Sequence, residues 1–372
     1  MEVTNLLSQA YAGKRVLVTG HTGFKGGWMC TWLHEMGAEV FGYALAPPTT
    51  PSMFELAQIE PLVDHHIADI RDERALRERI DAVRPDIIFH LAAQPIVRES
   101  YRNPLETVAV NVMGTANLLD AVRVIDRACA VVIVTSDKCY DNREWVWGYR
   151  ETDPMGGHDP YSMSKGAAEL VTDSWRNSFF SGADNAIDVA SGRAGNVIGG
   201  GDWAVDRIVT DVVGALIAGK PIQLRNPLAT RPWQHVLEPV SGYLWLGRQL
   251  LEPDGQRFAQ GWNFGPSSKS VRPVRDLVAL MIAAWGSGEM SVAGSPSANK
   301  EALSLSLNCD KAQHLLPWQA SWSIEQCVTA TVDWYRAWSA GTDDLALLTR
   351  RQIADYTASA AAQNVPWACA TP

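Results

Sequence analysis

Short apolar runs recur through the first half of the chain, each followed by a segment of helical spacing. Arg15-Val16-Leu17-Val18-Thr19 reads as a buried strand. A helix over about 26–36 follows, and Gly37 is placed as its C-terminal stop. Residues 39–43 read as a second strand, 66–68 as a short third, 86–90 as a fourth and 130–134 as a fifth. Between them, 73–83 is helical up to Pro85, and a long helix runs from Asn103-Pro104 to about Ile125. Asp159-Pro160 opens another helix, because aspartate caps an N-terminus and proline suits the first helical position. A strand near 187–190 closes the series. Continuous apolar strands alternating with helices predict a parallel sheet covered on both faces, an α/β doubly wound fold of Rossmann type.

The pattern loosens after Arg193. Gly199-Gly200-Gly201, Asn226-Pro227 and the stretch 286–299 read as loops between short elements. The chain is therefore divided into a dinucleotide-binding domain over 1–192, a smaller substrate-binding lobe over 193–345, and a tail over 346–372. A segment near 233–262 is expected to return to the first domain. The tail is Ala-rich with a weak pattern, expected either as a surface helix or as a partly mobile segment.

Composition narrows the function. The 372 residues are 47% hydrophobic and 20% charged, as in an ordinary globular protein. A net charge of -9 argues against a nucleic-acid binder, which needs a basic face. Six cysteines without a Cys-x-x-Cys pair indicate neither a zinc site nor a disulfide framework. Met1 to Ala12 carries acids and no long apolar run, and no stretch approaches the roughly 20 residues of a membrane span. A cytoplasmic location is expected. Trp203 and Trp233 stand among polar residues that could line a pocket. His90 and His235 read as packed histidines, and His65-His66 lacks a metal-ligand pattern, so no metal is expected.

Three motifs carry chemistry. Thr19-Gly20-His21-Thr22-Gly23-Phe24-Lys25-Gly26 leaves the first strand and enters the first helix. Its glycines permit a tight turn against a pyrophosphate, and the helix N-terminus offers free amide donors. Tyr161 and Lys165 stand one helical turn apart, so an ammonium beside a phenol is expected to pull the phenol's pKa down. Ser136-Asp137-Lys138 follows the fifth strand. The end of the second strand, Tyr43-Ala44-Leu45-Ala46, lacks the acid that usually holds an adenosine ribose, which leaves NAD against NADP open. Asp69 and Ile70 are candidates for the adenine, and Asp69 is equally a candidate helix cap.

Taken together, the glycine loop, the Ser136 triplet and Tyr161-x-x-x-Lys165 resemble the extended short-chain dehydrogenase/reductase family over roughly residues 13–340. The resemblance implies NAD as cofactor, held by Gly20, Thr22, Gly23, Phe24, Lys25, Gly26, Asp69, Ile70, Leu91, Ala92, Ala93, Gln94, Asn111, Tyr161 and Lys165. Residues 135–142, 144–151 and Arg231-Pro232-Trp233-Gln234-His235-Val236 are similar to the branch of 4,6-dehydratases acting on CDP-glucose. That likeness implies Ser136, Asp137, Lys138, Tyr161 and Lys165 as catalytic residues. It also implies Asn196, Arg207, Arg225 and Arg231 as contacts of an anionic nucleotide sugar. Other dehydratases of the family carry Asp-Glu where this chain has Asp137-Lys138, so Lys138 is either the C5 base or an electrostatic stabiliser. Further expectations from the family are a homodimer or homotetramer through the helices at Pro104 and Pro160, and no nucleic-acid or membrane partner. A nucleotide-sugar 4-epimerase and a non-catalytic dinucleotide sensor remain the competing readings.

Overall fold

The computed structural model describes residues 5–182, 186–267, 270–292, 304–341 and 344–370. Six strands form a parallel sheet: β1 (Arg15–Thr19), β2 (Glu39–Tyr43), β3 (Ile87–His90), β4 (Cys129–Val134), β5 (Ile187–Ala194) and β6 (Gly261–Phe264). Their order is β6-β5-β4-β3-β1-β2, and every pairing is parallel. Alternate side chains leave opposite faces of a strand, so each strand feeds two cores. Val16, Val18, Ile87 and Phe89 pack with Trp28 and Leu244, from the helices Phe24–Glu35 and Leu237–Leu250. Leu17, Ile88 and Val131 pack with Leu76 and Leu118, from the helices Glu73–Val83 and Gly114–Arg123.

The third strand expected over 66–68 does not form. Residues 64–68 run beside the end of β2 through backbone hydrogen bonds and isolated bridges at Phe41–Asp64 and Ala44–Ile67, without making a continuous strand. The neighbouring histidines add ring contacts: His65 pairs with His21 at 2.5 Å and His66 stacks on Tyr43. The long helix from Pro104 does run to Arg123, but as Pro104–Val108, a π-helical turn over Ala109–Met113, and Gly114–Arg123. The wide turn carries Asn111, in keeping with the tendency of such bulges to sit at functional sites.

The stretch after β5 holds short strand pairs and helices. Ile222–Leu224 pairs with Met290–Val292, and Thr230–Pro232 with Val271–Pro273. Residues 293–303, which include the end of the expected 286–299 loop, lie outside the described residues. The tail forms a helix over Leu345–Ala362 that belongs to the core, because its aromatic residues face inward: Tyr356 and Trp367 are fully buried. The Tyr356 hydroxyl donates to Glu238 at 2.6 Å, and the Ser321 and Trp322 backbone amides donate to the same carboxyl group. Burial pushes Glu238 up to about 7, with these donors working the other way. Its folded pKa exceeds its unfolded value of 4.5, so its contribution to stability is complete below 4.5 and disappears as pH rises through 7. Across that window the wild type is expected to lose thermal midpoint relative to Glu238→Gln. Parallel midpoint curves for the two proteins would contradict it.

Candidate active site

The strand order reverses between β1 and β3, and a deep cleft opens there at the carboxyl ends of the strands. Gly20 leaves β1 at φ +75°, and a Cβ there would lie 2.7 Å from the Ala92 nitrogen. A Cβ at Gly26 would lie 2.2 Å from the Gly20 carbonyl oxygen. The loop is thus folded too tightly for side chains at these positions. Gly23 is the N-cap of the Phe24–Glu35 helix and supplies no side-chain cap, so the helix's first amides keep their donor capacity at the cleft wall. Such a cradle fits a dinucleotide pyrophosphate. Thr22, Phe24, Lys25, Leu91, Ala92, Ala93, Asp69 and Ile70 also line the cleft. The Asp69 carboxylate is held by Arg71 at 2.6 Å.

Two elements meet across this cradle. Asp159 accepts from the Ser162 amide at 2.9 Å and Pro160 is the first residue of the helix Pro160–Phe179, which presents Tyr161 and Lys165, both buried, to the cleft. From the end of β4 comes a 3₁₀ turn, Asp137–Cys139, capped by Ser136. The Ser136 hydroxyl faces the Tyr161 phenol and donates to Asp137 Oδ1 at 3.0 Å. Asp137 Oδ2 is buried and has no hydrogen-bond partner among the described residues. Burial raises the Asp137 pKa, against the pull of Lys138, the Ser136 hydroxyl and Arg231, and so favours the protonated acid.

The expected lowering of Tyr161 by Lys165 is not found. Burial pushes the phenol up to about 12, against the pull of Ser136 and Arg207. Burial also lowers Lys165, to about 8, and it is Glu169, one turn further along, that supports its charge. Removal of water from both groups outweighs their mutual effect. Glu169 was not singled out in the sequence, since one acid on a helix carries no signal. It accepts hydrogen bonds from Thr135, from Ser191 at 2.7 Å and from Arg193 at 2.8 Å. Arg193 also donates to the Tyr140 hydroxyl at 2.7 Å, which donates in turn to Asn263 of β6. This buried chain ties the Ser136–Cys139 turn to β5, β6 and the Tyr161 helix.

Of the residues expected to bind substrate, Asn196, Arg207 and Arg231 line the cleft. Arg225 does not: it faces outward and pairs with Asp211 at 3.3 Å. Gln94 and Asn111 are also absent from the cleft surface, being used behind it. Asn111 accepts from the Gln94 amide at 2.8 Å and donates to Ser164 at 2.9 Å, which fixes the helix under Tyr161. Trp203 lines the cleft, whereas Trp233 is buried and donates to the Arg272 carbonyl. The sequence reading missed Arg98 and Asp206, which form an ion pair at the cleft, and Asp202, which pairs with Arg207 at 3.4 Å. Arg98 and Asp206 stand 108 positions apart and leave no local pattern, although Asp206, at φ +63°, marks a special turn.

The family model of GDP-mannose 4,6 dehydratase matches residues 17–331. The chain is 49% identical to the CDP-glucose 4,6-dehydratase of Salmonella typhimurium, over 93% of this chain and 97% of the relative. It belongs to the nucleotide-sugar 4,6-dehydratase family. A more distant member, GDP-mannose 4,6 dehydratase 1 of Arabidopsis thaliana, is 26% identical over 91% of this chain and 92% of its own. Solved structures show how widely the dehydratase fold is shared. The dTDP-glucose 4,6-dehydratase of Bacillus anthracis in complex with NAD superposes with a TM-score of 0.71 at 18% identity, over 89% of this chain and 97% of that one. A UDP-glucuronic acid 4-epimerase of Bacillus cereus superposes with a TM-score of 0.74 at 20% identity, over 87% and 99%. At these identities the likeness is one of fold, and the separation of dehydratase from epimerase rests on the family model and the Salmonella typhimurium relative.

Proposed function

We propose that this 4,6-dehydratase converts CDP-glucose to CDP-4-keto-6-deoxy-glucose with NAD, without net oxidation or reduction. The observation that carries the reading is Asp137, a buried carboxyl whose pKa burial raises and which lines the cleft with Ser136 and Tyr161. An acid held beside an oxidation site serves elimination across C5 and C6, and a 4-epimerisation has no use for it. The relative from Salmonella typhimurium supports CDP-glucose as the substrate. Ala44, Leu45 and Ala46 line the cleft after β2 and offer no cation to a 2′-phosphate, which supports NAD over NADP.

NAD, held by the glycine loop, would supply the acceptor of the C4 hydride and its donor to C6, and the charge of its oxidised form would favour ionisation of the phenol. Tyr161 takes the proton of the C4 hydroxyl, while Ser136 bonds the same oxygen and Lys165 holds its positive charge at the ribose side. The resulting 4-ketone acidifies the C5 proton. Asp137 then gives its proton to the departing C6 oxygen, and Lys138 serves C5 as base or as a charge stabilising the enolate. Arg207 and Arg231 suit the diphosphate oxygens, and Asn196 the neighbouring sugar. A homo-oligomer through the helices at Pro104 and Pro160 accords with the exposure of Leu105, Met113, Met163 and Leu170. No helix among the described residues is long and apolar enough to cross a membrane, and we place the enzyme in the cytoplasm.

Incubation with CDP-glucose and NAD is expected to give a 4-keto-6-deoxy product with no net reduced cofactor, read by NMR and absorbance. Recovery of the C4 epimer alone, or of untouched substrate, would overturn the reading.

A further inference from the structure

The loop 202–207, which leads into the helix Ile208–Ile217, is fastened at its two ends. At the first, the Asp202 carbonyl accepts the Tyr335 hydroxyl at 2.6 Å and the Thr210 hydroxyl at 3.1 Å. Beside it the Trp203 ring packs on Trp338 and Tyr335, with centroids 4.4 and 5.1 Å away. At the second, Arg207 is the N-cap of the helix. Ala204, Val205 and Asp206 arch between these points, and the Val205 side chain is exposed. Among the described residues the arch makes no backbone–backbone hydrogen bond, and of its backbone groups only the Ala204 amide is used, by Asp202 Oδ1 at 3.2 Å.

What ties the middle of the arch is the Asp206 carboxylate, which pairs with Arg98. Both residues line the cleft, with side chains 22% and 25% exposed. Asp206 holds this contact at φ +63°, a left-handed conformation that aspartate tolerates better than most residues. The Arg98 end is built into the frame. Its helix, Val97–Arg102, follows β3, and Ser100 of that helix accepts from the Tyr161 amide at 3.1 Å. β3 and β5 are not neighbours in the sheet: β4 lies between them, and the turn after it carries Ser136 and Asp137. The ion pair therefore joins segments that follow the two strands flanking the one that bears the catalytic turn. A single, partly exposed pair adds little to the stability of a fold, and it suits a contact that opens and closes.

We propose that Ala204–Asp206 is a strap at the cleft, latched by the Arg98–Asp206 ion pair, which opens to admit a nucleoside diphosphate sugar and to let the product go. The inference rests on the nucleotide-sugar reading above. Arg98 acts here through Asp206 as a positioning residue and is not one of the diphosphate's own contacts. The latch is one bond between two partners, so losing the acid has the same effect as losing the base. A cation that gripped the ligand would behave otherwise, because only its own loss would loosen the ligand.

The test measures release of CDP, an unreactive fragment of the substrate, from the NAD-loaded enzyme. Stopped-flow tryptophan fluorescence against CDP concentration gives the release rate as its intercept. Asp206→Asn, which keeps the size of the side chain and tolerates the left-handed backbone, and Arg98→Gln are each expected to speed release about fivefold, the scale set by one partly exposed pair. The double variant should release CDP no faster than either single one. Arg98→Lys, which keeps the charge, should stay near the wild type. Faster release from Arg98→Gln with unchanged or slower release from Asp206→Asn would overturn the inference, because Arg98 would then be a contact of the ligand. Additive effects in the double variant, or unchanged release in both single variants with a lowered thermal midpoint or without one, would overturn it as well. Failure of the wild type to bind CDP would instead strike the nucleotide-sugar reading, so the two failures are distinguishable.

Discussion

Asp137→Asn is expected to stop the reaction halfway. Asparagine has nearly the shape of the protonated carboxyl and still accepts the Ser136 hydroxyl at Oδ1, so oxidation at C4 proceeds. It cannot give up a proton to the C6 oxygen. Product formation should fall about 10²–10⁴-fold, the range for loss of a general acid. The 4-keto sugar and reduced nicotinamide should accumulate together, visible as near-ultraviolet absorbance in a single turnover. The variant's thermal midpoint should match the wild type, since burial already favours an uncharged group at this position. Tyr161→Phe is the matching control: it lacks the proton acceptor for the C4 hydroxyl and should show no reduced cofactor at all. Equal build-up in the two variants, or unimpaired product in Asp137→Asn, would remove Asp137 from the elimination.

Glu169→Ala should produce the largest loss of stability. The carboxylate is fully enclosed and takes hydrogen bonds from Thr135, Ser191 and Arg193. Its loss leaves the Arg193 guanidinium buried without a counter-charge, although the Tyr140 hydroxyl remains as an acceptor. Breaking one side of a buried pair costs about 3–5 kcal/mol. That is a large share of the roughly 5–15 kcal/mol that separates a folded domain from its unfolded chain. Glu169→Gln keeps one acceptor oxygen, for Thr135 or for Ser191 and Arg193, sets an NH2 donor in place of the other, and should fall between the wild type and the alanine variant. Denaturant unfolding monitored by tryptophan fluorescence measures both. A change below about 1 kcal/mol for the alanine variant would show that the Arg193 network carries no load in the fold, the size expected for an exposed pair.

The sequence was most legible where one local rule governs one residue. Asp159 and Pro160 announced a helix start, and they form it. The apolar runs expected at 130–134 and 86–90 marked strands enclosed on both faces, as β4 and β3 are. Gly20 and Gly26 could be read as positions where a side chain would collide, which the close approach of Ala92 and of the Gly20 carbonyl explains. What escaped depends on distance in space. The 66–68 segment has a strand-like composition, but its backbone meets the neighbouring strand's continuation only at Ala44, which is too short a pairing for a strand. Arg225 reads like any phosphate-binding arginine until the fold turns it toward Asp211. The activation of Tyr161 was inferred from spacing to Lys165 alone, whereas burial, which no spacing reveals, dominates both pKa values. Glu169, Arg193 and Tyr140 come from three separate segments and make sense only as one network.

The central claim is that one cleft oxidises C4, eliminates water across C5 and C6, and reduces C6 of the same sugar. CDP-glucose bearing deuterium at C4 tests it most directly, with the product examined by NMR. Deuterium is expected at C6 of a 4-keto-6-deoxy product, carried there without dilution by added unlabelled reduced cofactor. Deuterium retained at C4 of a recovered hexose, or lost from the sugar while C6 keeps its oxygen, would contradict the account.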